Sequence, residues 1–86
     1  MDFDDLLQRY FGTADLSALP AGAHAAGIDR LRVDFGLEKD RPRRFALWSV
    51  LYMLGQAPDL AIAFKDEADR EAARNLMDLL AASEGD

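Results

Sequence analysis

Apolar residues crowd one stretch of the chain, Phe45–Leu54, where nine of the ten residues FALWSVLYML are apolar and the tenth is Ser49. Wound as a helix, it carries Phe45, Trp48 and Tyr52 on one face and Leu47, Leu51 and Leu54 on another. Ala46, Val50 and Met53 fall between them. A helix that is apolar all round has to be enclosed. It is too short to cross a bilayer, which takes about 20 residues. The rest of the chain, with or without a second copy, therefore has to cover it.

Ahead of it, Phe3, Leu6, Leu7, Tyr10 and Phe11 recur at i, i+3, i+4, i+7 and i+8 and predict an amphipathic helix near 2–11. Asp2 is its candidate cap, Asp4 and Asp5 suit its positive end, and Gly12 can end it in the left-handed conformation. A second helix is expected near 17–35. Ser17 would cap it and Pro20 would fall in its first turn, where no intrahelical donor is lost. Gly22 and Gly27 weaken its start, and His24, Ile28, Leu31 and Phe35 form its stripe. Gly36 would stop it, with Leu37 touching Leu31.

Asp40 can cap the central helix, near 41–54, with Arg41 and Pro42 as its first residues and Gly55 as its end. Gln56–Asp59 reads as a turn, and 59–64 as an extended or single-turn connector. Asp66 caps a last helix near 66–82, whose inner stripe is expected to be Ala68, Ala72, Leu76, Leu79 and Leu80. Asp66–Arg70 and Glu71–Arg74 are spaced as supporting pairs. Ala82 onward should fray.

The same residues permit a rival. Leu31, Val33 and Phe35 alternate with polar neighbours, and Leu60, Ile62 and Phe64 alternate with alanines. Strands near 30–35 and 59–64 would make an α+β fold. An isolated parallel pair is a poor sheet, so the expected fold is all-α: one domain over 1–86, a small bundle of four helices.

Composition changes this picture little. A chain that is 50% hydrophobic and 30% charged is globular rather than disordered. Zero cysteine excludes disulfides and thiolate chemistry, and one histidine excludes multi-histidine metal sites. The start, MDFDD, lacks the basic segment and apolar run of a signal peptide, so a cytoplasmic location with no membrane association is expected. Eight arginines against two lysines, with fifteen alanines, suggest GC-rich coding and a bacterial origin.

Net charge is −6, which argues against nucleic acid as a partner. The charge is uneven: acidic over 1–15, mildly basic over 16–58, strongly acidic over 59–86.

Few residues suggest chemistry. His24 has the pKa range for proton transfer but no partner at helical spacing except Ser17, and is read as a partly buried histidine bonded to a carbonyl. The acids sit in first turns or on exposed faces, and no Glu-x-x-His occurs. Tyr10, Trp48 and Tyr52 resemble a stacking platform for bases, yet lie in apolar stripes and read as core.

Arg41, Arg43 and Arg44 break a rule, because they crowd the positive end of a helix where acids belong. Such a violation can mark a functional site. It suggests an anion or partner contact; pairing with acids of the outer helices is the preferred account. No catalytic residue, cofactor or metal is expected. The function expected is that of a small acidic non-catalytic interaction or regulatory module, homodimeric because apolar surface is left over. The alternative is a nucleotide- or nucleic-acid-binding module using the basic segment Arg30–Arg44.

Overall fold

The structure, a computed structural model, describes residues 3–84, with side chains over 4–83. Asp2, the expected first cap, lies outside the described residues, as does the side chain of Phe3. The elements are α1 (Phe3–Phe11), a 3₁₀ turn (Leu16–Ala18), α2 (Ala21–Leu37), α3 (Arg41–Met53), the single turn α4 (Leu60–Ala63) and α5 (Glu67–Glu84). Among the described residues there is no strand. The alternating pattern over 30–35 fails as a strand because Leu31 and Phe35, one helical turn apart, are buried while Val33 is exposed. Residues 59–64 form α4 and its flanks, the single-turn connector expected.

The stop signals act as read at two glycines. Gly12 (φ +76°) closes α1 with its N–H on the Gln8 carbonyl at 2.8 Å. Gly55 (φ +73°) closes α3 in a Schellman motif, with Gly55 N–H on Tyr52 O at 2.9 Å and Gln56 N–H on Leu51 O at 2.8 Å. Asp40 caps α3 by accepting from Arg43 N–H at 3.1 Å. Asp66 accepts from Ala68 N–H at 2.9 Å where α5 begins.

Three expectations are corrected. Ser17 does not start the second helix. Asp15 accepts from the Ser17 N–H at 3.2 Å and the Ser17 hydroxyl at 2.5 Å, which caps the 3₁₀ turn instead. The residue before a proline avoids the helical region, and Leu19 is extended (ψ 137°), so α2 opens only at Ala21. Gly36 does not stop α2, which runs on to Leu37, leaving Leu37 exposed. The inner stripe of α5 is rotated from the one expected: Ala73 is buried, Leu76, Met77 and Leu80 are half-buried, and Ala68, Ala72 and Leu79 face solvent.

The core is built on α3. Val50 and Leu51, Leu31 of α2 and Ala73 of α5 are fully shielded, and Trp48 is 1% exposed. Phe64, just after α4, is the aromatic hub. Its ring lies 6.2 Å from Phe35, 6.0 Å from Phe45 and 5.7 Å from Trp48. Trp48 also stacks on Tyr52 at 5.2 Å and donates its indole N–H to the Pro58 carbonyl at 3.3 Å, so its one polar atom has a partner. The Ser49 hydroxyl donates to the Phe45 carbonyl at 2.9 Å.

The described residues extend 36 Å, 36 Å and 21 Å along their principal axes. The cover over α3 is incomplete: Met53 remains exposed, and Phe45, Ala46 and Tyr52 are half-buried.

α1 packs tightly against α2 at Gly27. A Cβ there would lie 2.2 Å from the Phe11 ring, whereas one at Gly36 would meet nothing. Gly36→Ala, near the end of the helix, should stabilise the protein by up to ~1 kcal/mol through helix propensity. Gly27→Ala should destabilise it by about 1–2 kcal/mol, because displacing a buried ring outweighs that gain. Urea denaturation of the two variants checks the opposite signs.

Candidate functional site

The three arginines at the start of α3 do different things. Arg44, half-buried, donates to the carbonyls of Phe35 (2.7 Å) and Glu38 (3.3 Å) through one nitrogen and of Ala63 through the other. Its guanidinium lies 4.1 Å over the Phe35 ring. Those carbonyls are orphans at the carboxyl ends of α2 and α4, where a cation is favoured. Arg44 is therefore misplaced for α3 and well placed for two other helices.

Arg41 forms a fork on Asp69, both bonds 3.0 Å, and reaches Asp66 at 3.3 Å. The starts of α3 and α5 face each other through this contact, so each offsets the other's unfavourable or unneeded charge. The guanidinium holds the Asp69 carboxyl below its usual range through the hydrogen bond, and Asp69 raises Arg41 in return. The expected ion pair with an acid of another helix is thus present. Arg43 is different again. It points away from α5 and stands 3.9 Å from Glu38, a loose pair.

The rest of the basic segment is similarly divided. The Arg30 guanidinium lies 5.9 Å over the Tyr10 ring, and Arg32 donates to the Gln56 side chain. Arg43 lines a cleft of 220 Å³ between α1, α2 and α3, with Arg9, Asp34 and Glu38 around a floor of Leu6, Leu47 and Tyr10. There the Tyr10 hydroxyl donates to Asp34 at 2.5 Å, and burial first, then that bond, pushes it up to about 12. It stays a neutral donor at any ordinary pH. Arg41 and Arg44 instead border a groove of 450 Å³ with Lys39 and Lys65, beside Ile62 and Phe64. Neither lysine has a carboxylate partner among the described residues. The arginine run of the sequence is thus split between two concavities, and Lys65, distant in sequence, joins one of them.

His24 is half-buried with its ring 5.7 Å from Phe11, a packing contact. The Ser17 hydroxyl is bonded to Asp15 and is not its partner. Trp48 and Tyr10 are buried and Tyr52 is half-buried against Trp48, so none offers an open stacking platform. Among the described residues no three His, Cys, Asp or Glu side chains come together as a metal site, and no helix is long and apolar enough to cross a membrane.

The feature that sequence reading missed is on α5. At about 100° per residue, five of its charged residues, Glu67, Arg70, Glu71, Arg74 and Asp78, share one flank, while Asp69 turns toward Arg41. The other flank, Ala68, Ala72, Asn75, Leu79, Ala82 and Ser83, is uncharged and exposed. Leu79 is 66% exposed. This neutral flank borders a 500 Å³ groove floored by Pro42 and Phe45 of α3 and Ala72 of α5, with Arg41 and Asp69 at one end. The line 72–76–79 is legible in the sequence, where it reads as the buried stripe; the structure instead buries the adjoining line of Ala73 and Met77 and turns Ala72 and Leu79 to solvent.

Compared with known proteins, the chain matches no family model, no curated sequence and no solved structure.

Arg44→Ala should destabilise the protein by roughly 2–4 kcal/mol, because it leaves buried carbonyls without donors and uncovers Phe35. Arg44→Lys should recover only part of this, since a lysine lacks the planar fork. Arg41→Ala and Arg43→Ala should change stability little, as exposed pairs do. Thermal denaturation of the four variants orders them.

Proposed function

We propose that this chain is a small cytoplasmic, non-catalytic interaction module that works as a homodimer through the neutral flank of α5 and the adjoining groove on α3. One observation carries the reading: the 18-residue helix α5 keeps Glu67, Arg70, Glu71, Arg74 and Asp78 on one flank and exposes an uncharged flank, Ala68, Ala72, Asn75, Leu79, Ala82 and Ser83, on the other. Solvent-facing helix surfaces are ordinarily charged, and a contiguous exposed apolar face marks an interaction site. The residues with polar chemistry support the same reading. The arginines, Tyr10 and Trp48 are mostly engaged inside the fold.

The face offers about ten residues a side, against about 20–30 in a standard interface. A dimer of this size dissociates in the micromolar range. Light scattering should give a mass rising from the 9.5 kDa monomer toward twice that value across roughly 10–500 μM. Leu79→Glu, at an exposed position, should leave the fold intact and weaken association at least about tenfold. A constant monomer mass over that range would defeat the reading.

A second reading rests on Lys39 and Lys65, which line a groove with Arg41 and Arg44 but also with Glu38, Asp66 and Asp69, and could meet a phosphate-bearing ligand. It predicts thermal stabilisation by inorganic polyphosphate that Lys39→Ala/Lys65→Ala removes. The homodimer reading predicts none.

A further inference from the structure

The apolar line of α5 is self-complementary. Its spacing from Ala72 is four, three and four residues, to Leu76, Leu79 and Ser83, the alternation of a coiled-coil seam. Reversed upon itself, the line sets Leu76 against Leu79 and Ala72 against Ser83, large against large and small against small. We infer that the partner is a second copy of this chain whose α5 docks antiparallel along this seam, with Leu76 of each protomer against the partner's Leu79. This rests on the homodimer reading above and adds its geometry.

Charge selects the direction. Asp69 lies on the same line one turn before Ala72 and holds Arg41 at 3.0 Å. Parallel pairing would set Asp69 against the partner's Asp69, a like-charge clash. Antiparallel pairing brings the carboxyl end of the partner's α5, the negative end of its helix dipole, to the groove at Pro42 and Phe45. There that end meets Arg41, whose side chain is 58% exposed while bonded to Asp66 and Asp69. The flanks carrying Glu67, Arg70, Glu71, Arg74 and Asp78 turn outward in both chains, so the charges left at the edge of the seam are Asp69 and the Arg41 it holds.

The chain has no cysteine, so single-cysteine variants cross-link without background. Leu76→Cys and Leu79→Cys are made separately, checked by circular dichroism for unchanged helix content, and oxidised mildly, alone and as an equal mixture. Light scattering of the unmodified protein is run in parallel. Antiparallel docking in this register makes the mixture form covalent dimer several-fold faster than either variant alone, all of it joining the two different variants. Faster cross-linking of each variant with itself overturns the register. So does absence of cross-linking while the unmodified protein is dimeric, and in both cases the homodimer reading stands. A monomer at every concentration overturns both.

Discussion

Everything in this fold answers to the enclosure of α3. From Phe45 to its end at Met53 this helix is apolar except for Ser49, so other elements have to take its surface, and burial of apolar area is the main favourable term in folding. The remaining elements divide the task. α1 and α2 pack on one another and on α3 through Leu6, Tyr10, Ile28, Leu31 and Phe35. α5 adds Ala73, and the short α4 segment delivers Phe64 into a ring of aromatic side chains around Trp48. A close Gly27–Phe11 contact lets α1 sit near enough to α2 to contribute. The enclosure stops short at Met53, which is exposed, and at Phe45, which is half-buried.

Helix ends make the second layer of the design. Each helix leaves donors at its start and acceptors at its end, and the five α-helices among the described residues crowd many ends together. Arg44 resolves two carboxyl ends at once, and Arg41 joins two amino ends by pairing with the acids of α5. The concentration of arginine at the start of α3 is thus explained for two of its three members by the helices it meets in space rather than by the helix it belongs to. Arg43 is the one left with a distant partner.

This is also where the sequence was legible and where it was not. The helical fold, the role of Phe45–Leu54, the stops at Gly12 and Gly55 and the caps at Asp40 and Asp66 follow from local chemistry, and local chemistry is what a sequence displays. Pro20 misled because its own place in a first turn was weighed without its effect on Leu19. Gly36 misled because the acceptors of α2 are satisfied by Arg44, nine residues away, so no left-handed stop was needed. The jobs of Arg41 and Arg44 depend on which helix ends meet, and the proximity of Lys65 to Lys39 depends on the path of the α4 segment. No periodicity encodes either. α5 carries two apolar lines side by side, and only the packing shows which one the chain uses itself: that of Ala73.

The exposed flank of α5 is where a fold that leaves its central helix partly uncovered meets the functional proposal. Hydrogen–deuterium exchange at low and high protein concentration tests that link most directly, because amide protection reports local opening and association adds to it. The account predicts that amides around Val50 and Leu51 are protected at every concentration, while those from Ala72 to Ser83 gain protection as concentration rises. Exchange along α5 that is independent of concentration would contradict it.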